Sequence, residues 1–212
     1  MSQQYSKIAD ALITGDAEEA KKLVQKAFDE GTTAREILDQ GLLAGMDIVG
    51  KRFKACEMFI PEVIQSAQTM KAAMEILRPR LSEGESAALG TVVIGTVEGD
   101  LHDIGKNLVI MMLEGAGFKV VDLGIDVKAL TFVEAVKKHK PNILGLSALL
   151  TTTAMRMEEI IRAMQEAGVR EQIKIMAGGQ AVSQDFIYKI GGDAYGANAV
   201  LAVEKAKELI GR

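Results

Sequence analysis

From Thr91 to the C-terminus, short β-branched runs alternate with helical stretches, and few folds satisfy that alternation. The runs read TVVIGTV (Thr91 to Val97), KVVDL (Lys119 to Leu123), ILGLS (Ile143 to Ser147) and IKIMA (Ile173 to Ala177), with Asp193-Ala194-Tyr195 as a weak fifth. Helices are expected from Ile104 to about Glu114, near Leu130 to Lys138, near Met155 to Glu166 and over Ala199 to Ile210. Strands that are almost continuously apolar, each followed by a helix, require a parallel sheet covered on both faces. In open sheets of this kind ligands bind outside the carboxyl ends of the strands.

The first 81 residues carry a different period. Ala20, Leu23, Val24, Ala27 and Phe28 repeat at helical spacing, with Gly31 as a stop. Leu38, Leu42, Met46, Val49 and Phe53 form a second stripe. A third helix is expected to begin at Pro61, a residue suited to a first turn, and to turn Val63, Ile64, Ala67, Met70, Met74 and Leu77 inward. With a short helix near Tyr5 to Ile13 this makes a four-helix unit. Ser82-Glu83-Gly84-Glu85-Ser86 is polar and without apolar period, so it reads as a linker. The expected organisation is a helical domain over 1–81, a linker over 82–89 and an α/β domain over 90–212.

Bulk properties narrow the function. A net charge of −4 and a pI near 5.4 lack the basic footprint that nucleic-acid binding needs. No apolar run is long enough to span a membrane, and Met1-Ser2-Gln3-Gln4-Tyr5 has neither the basic nor the apolar segment of a signal peptide. A single cysteine, Cys56, permits no intramolecular disulfide and no four-thiolate iron–sulfur cluster. A cytoplasmic protein without nucleic-acid or membrane partners is therefore expected.

Three segments fall where the first, third and fourth strands should end. They are Glu98-Gly99-Asp100-Leu101-His102-Asp103-Ile104-Gly105, Ser147-Ala148-Leu149 and Gly178-Gly179. Singly each reads as an ordinary loop or turn. Their spacing is the informative part, with 41 residues between Gly105 and Ser147 and 28 between Leu149 and Gly178. This constellation resembles the cobalamin-binding signature Asp-x-His-x-x-Gly, then Ser-x-Leu, then Gly-Gly.

The resemblance implies a Rossmann-like, flavodoxin-like five-stranded parallel sheet domain that binds cobalamin or a related corrinoid, with His102 as the axial ligand of cobalt. Imidazole nitrogen suits that position, and a ligating histidine is typically oriented by a carboxylate, here Asp100. The family continues this pair to a hydroxyl, which falls at Thr153. Gly99, Leu101, Asp103, Ile104 and Gly105 belong to the same loop. By the same resemblance the nucleotide tail of the cofactor threads into the sheet domain past Gly105, Gly178 and Gly179. Ser147 and Thr151 offer hydroxyls to it, beside Leu149, while Tyr195, Gly196 and Ala199 complete the far wall.

Residues 40–81 resemble the helical cap over the upper corrin face in methionine synthase and related methyl carriers. That likeness places Phe53 and Ile60 against the methyl-bearing side of cobalt, with Val63 nearby; by pattern alone they read as core residues of a helix bundle. His139 reads as a solvated helix end, and nothing around Cys56 calls for a thiolate. Asp103 and Lys106 read equally as contacts to corrin amides or as solvent-facing residues at a helix start.

Adenosylcobalamin mutases lack such a cap and carry a catalytic barrel. Cobalamin-sensing repressors carry a DNA-binding module ahead of it. The cap-plus-sheet arrangement is most similar to the corrinoid proteins of methylamine, betaine and methoxy-aromatic methyltransferase systems. The implied activity is that of a carrier rather than a stand-alone catalyst. A substrate-specific methyltransferase methylates Co(I) to give methylcobalamin, and an acceptor methyltransferase passes the methyl group to coenzyme M or tetrahydrofolate. A reductive activating protein rescues Co(II), and the hinge for cap movement is expected at Ser82 to Ser86. The alternative is a cobalamin-dependent sensor.

Overall fold

The computed structural model describes residues 3–80 and 88–212. The expected linker and hinge at Ser82–Ser86 lies outside the described residues. The chain divides into two compact units, one of Met1–Leu89 with Glu114–Gly117, the other of Gly90–Leu113 with Phe118–Arg212.

The first unit is helical. It contains α1 (Gln3–Ile13), α2 (Ala17–Asp29), α3 (Ala34–Glu36), α4 (Ala44–Lys54) and α5 (Ile60–Leu77). Asp16 caps α2 through the Glu19 N–H, and Thr33 with Glu36 forms a capping box at α3. Pro61 sits in the first turn of α5, where its missing N–H breaks no helical bond. The stripe from Leu38 to Phe53 is not one α-helix, because Ile37–Leu43 is π-helical. These wider turns pass close to α1, where a Cβ on Gly41 would come within 3.0 Å of Ile8. Ile8, Leu12, Ile37, Leu42, Met70 and Leu77 fill the interior of the bundle.

The second unit holds a five-stranded parallel sheet in the order β2-β1-β3-β4-β5. Its strands are β1 (Thr91–Thr96), β2 (Lys119–Asp122), β3 (Ile143–Ser147), β4 (Lys174–Gly178) and β5 (Ala194–Tyr195). The helices are α6 (Ile104–Gly115), α7 (Ala129–His139), α8 (Thr151–Ala154), α9 (Arg156–Glu166), α10 (Gln184–Lys189) and α11 (Ala199–Leu209). α10 was not expected: at six residues it is too short to show a period, and its signal is the Ser183 cap.

The chain leaves β1 for β2 on one side and returns across it to β3 on the other. The C-terminal ends of β1 and β3 therefore flank the topological switch point, where such sheets hold ligands. The register aligns Thr96 with Ser147 and Ser147 with Gly178, so two of the three signature segments share one row. Among the described residues no helix is long and apolar enough to cross a membrane.

Candidate functional site

Asp100 and His102 lie in the loop between β1 and α6. Asp100 is completely buried, and its carboxylate accepts five hydrogen bonds. Oδ1 takes the His102 backbone N–H at 3.0 Å and the His102 ring Nδ1 at 2.7 Å. Oδ2 takes the backbone N–H groups of Leu149 at 2.7 Å and Leu150 at 3.4 Å, and the Thr153 hydroxyl at 2.6 Å. Burial alone pushes this carboxyl up. The Thr153 hydroxyl, the His102 and Leu149 N–H groups and the His102 ring outweigh it, holding Asp100 well below the usual carboxylate range.

An ionised carboxylate can only accept, which assigns the Nδ1 proton to the histidine and leaves Nε2 of the neutral ring as the basic nitrogen. The imidazole is 53% exposed, so that nitrogen is reachable. Its backbone is fixed as well: the Thr96 hydroxyl donates to the His102 carbonyl at 3.0 Å. A histidine gripped through Nδ1 and open at Nε2 is the arrangement of a metal ligand held by its outer partner. Among the described residues no three His, Cys, Asp or Glu side chains cluster as a metal site. An ion held at His102 would need its other ligands from outside these side chains, as cobalt has them in a corrin ring.

Beside His102 opens a cavity of about 410 Å³ between the strand ends, α6 and α11. His102, Gly105, Ser147, Leu149, Gly178, Gly179, Tyr195, Gly196 and Ala199 all line it. Its depth is apolar, walled by Ile94, Leu108, Val109 and Met176. The glycines are there for space. A Cβ on Gly178 would stand 2.6 Å from the Gly196 carbonyl oxygen, and one on Gly179, whose φ is +133°, would collide with the Ala148 carbonyl. A Cβ on Gly105 would meet no protein atom within 4 Å and would project into open space.

Other expected residues lie apart from the cavity. Gly99, Leu101, Asp103, Ile104 and Thr151 do not line it. Leu101 and Ile104 are exposed apolar residues on either side of His102 in the loop sequence, and Asp103 accepts from the Asn107 amide at 3.1 Å. Thr151 is exposed at the start of α8. Lys106 is not solvent-facing: it is 3% exposed, lines the cavity and pairs with Asp122 at 2.7 and 2.8 Å. In the helical unit Phe53 is half-buried at the end of α4, and Ile60 is 47% exposed. Val63 is buried, so its side chain packs inside the bundle. Cys56 is exposed in a left-handed turn, and His139 is half-buried in the last turn of α7.

The sequence did not reveal the Leu149 and Leu150 donors, because a backbone N–H leaves no mark on residue type. It also gave no role to Thr96 or Asp126. Asp126 accepts the Gly99 N–H at 2.7 Å, and its place just after Gly124 in the β2–α7 loop is the available hint.

Two B12 binding domain models match the chain, one over residues 90–204 and the other over residues 4–78. The chain belongs to the B12-binding family. Trimethylamine corrinoid protein 1 of Methanosarcina acetivorans is 44% identical over 207 residues, which cover 97% of this chain and 96% of that relative. Among solved structures, a cobalamin-binding protein from Desulfitobacterium hafniense DCB-2 superposes with a TM-score of 0.82 at 35% identity, covering 98% of both chains. A chain of the methanol:cobalamin methyltransferase complex MtaBC from Methanosarcina barkeri gives 0.87 at 34% identity, covering 99% of this chain and 80% of that one. The cofactor of this B12-binding protein is a corrinoid, and the cavity, the glycine cradle and the open imidazole are fitted to one.

Proposed function

We propose that this corrinoid protein carries a methyl group from a substrate-specific methyltransferase to an acceptor methyltransferase. Methylamine-type donors are favoured by its similarity to a trimethylamine corrinoid protein, and coenzyme M or tetrahydrofolate is the acceptor. The observation that carries the reading is the Asp100–His102 pair, with Nε2 open beside the glycine-lined cavity. The cobalt of the bound corrinoid supplies the methyl-transfer chemistry.

The chain supplies the rest. His102 would hold the metal through Nε2, with Asp100 keeping the ring oriented through Nδ1. Thr153 holds Asp100 through Oδ2. Gly105 leaves the cavity free for the cofactor's tail, while Gly178 and Gly179 let the walls close against the Gly196 and Ala148 carbonyls, with Ser147 and Tyr195 on the wall. In the helical unit the exposed Ile60 and half-buried Phe53 are the apolar side chains available to exclude water, whereas Val63 is buried. Three partners follow from this role: the donor methyltransferase, the acceptor methyltransferase and a reductive activating protein.

The test is transfer of isotopically labelled methyl. Reduced, cobalamin-loaded protein is mixed with a trimethylamine, dimethylamine or monomethylamine methyltransferase and its labelled substrate. Label on the protein-bound corrinoid that an acceptor methyltransferase then removes is the expected result. No labelling with any of the three, together with a mobility shift of DNA by the loaded protein, would favour the sensor.

A further inference from the structure

The loop between β2 and α7 (residues 123–128) is interlocked with the loop that carries His102. Leu123 N–H donates to the Ile94 carbonyl at 2.8 Å, Thr96 N–H to Gly124 at 3.0 Å, and Val127 N–H back to Thr96 at 3.0 Å. Strand-like pairing thus continues beyond the last residue of β2. Asp126 closes the zipper with two bonds. Its N–H donates to the Asp100 carbonyl at 3.1 Å, and its Oδ1 accepts the Gly99 N–H at 2.7 Å. One residue therefore grips the Gly99-Asp100 pair from both ends.

Asp126 does this from an unusual backbone. Its φ is +53°, in the left-handed region that most side chains avoid and that Asp and Asn tolerate best. Glycine would adopt that conformation more readily, so the carboxylate at this position has a use beyond the turn. Packing is not that use, because Asp126 is exposed. Gly99 itself has a φ of +82°. Without the Asp126 oxygen, the Gly99 N–H would have only water to donate to, and the peptide leading into Asp100 would keep only the bond from the Asp100 N–H to the Val97 carbonyl at 3.1 Å.

We propose that Asp126 is a positioning residue for the axial ligand, holding the Gly99-Asp100 backbone so that Asp100 Oδ1 stays 2.7 Å from His102 Nδ1. The inference rests on the reading of His102 as the cobalt ligand. It adds a further layer outside Asp100, reached through backbone rather than side chains. Small displacements of an outer partner weaken a metal ligand's hold, since the ligand's orientation depends on it.

Two variants separate positioning from folding. Asp126→Gly keeps the left-handed turn and removes the acceptor; Asp126→Asn keeps both the turn and an acceptor oxygen. Each is loaded with cobalamin and reduced to the Co(II) state. With the protein's histidines labelled with nitrogen-15, the labelled splitting of the electron paramagnetic resonance spectrum then gives the ratio of histidine-ligated to other cobalt, with His102→Ala as the zero. Asp126→Gly is expected to lower that ratio about three- to tenfold, the effect of one lost hydrogen bond, with its thermal midpoint close to the parent's because glycine's ease in the left-handed turn offsets that loss. Asp126→Asn should stay within about twofold of the parent. A parental ratio in Asp126→Gly, or an equal fall in Asp126→Asn, would overturn the proposal. If His102→Ala instead matches the parent, the ligand assignment itself fails, and that outcome is distinct from either.

Discussion

Asp100 Oδ2 is held by one side-chain donor and two backbone donors, and the side-chain donor makes the shortest of the three bonds. Thr153→Val preserves the side-chain shape and removes that donor from a buried carboxylate. The expected cost is about 1–3 kcal/mol of stability. A fall of roughly tenfold in the histidine-ligated fraction should accompany it, at the lower end for an outer partner of a metal ligand. Thermal unfolding and the spectrum of the loaded variant measure the two effects, and Thr153→Ser should restore both. At this scale the sequence was most legible where side-chain chemistry recurs at fixed spacing, as at Asp100, His102 and Ser147. It was silent where backbone does the work, as at Leu149. Lys106 was ambiguous because its partner, Asp122, comes from the end of another strand 16 residues away, and only the fold brings the two together.

The elements around the cavity make opposite demands on their glycines. Gly105 lies in the first turn of α6, with no protein atom near the place of a Cβ. Gly105→Ala should leave the thermal midpoint of the cofactor-free protein unchanged or raise it, since alanine favours helix over glycine by up to about 1 kcal/mol. It should weaken cobalamin binding, because the added methyl occupies space the tail needs. Gly179→Ala should destabilise the cofactor-free fold itself, since its Cβ meets the Ala148 backbone. A binding titration and a melting curve on each variant check the pair. Most elements were readable from period alone, and β3 matches its expected bounds. The departures have local causes. The stretch Ile37–Leu43 keeps an apolar stripe that an α-helix would also show, so its wider turns leave no trace in the pattern. α8 is a single turn that a period-based reading merges with the loop before α9.

The parallel sheet covered on both faces follows from the alternation beyond Thr91, whereas the strand order β2-β1-β3-β4-β5 leaves no mark on that alternation. A corrinoid that binds the folded sheet unit and not the unfolded chain must stabilise it by mass action. Cobalamin at about a hundred times its dissociation constant should add roughly 2.7 kcal/mol, seen in calorimetry as an upward shift of the sheet unit's transition. An unchanged transition at saturating cobalamin would contradict binding in the cavity. The proposed function turns on a single bond, between His102 Nε2 and cobalt. The most direct measurement compares the electron paramagnetic resonance spectra of parent and His102→Ala protein, both loaded with cobalamin and reduced to Co(II). With histidine labelled with nitrogen-15, the parent is expected to show the label in its axial splitting and the variant to lose it; parent splitting that ignores the label would show that His102 is not the ligand.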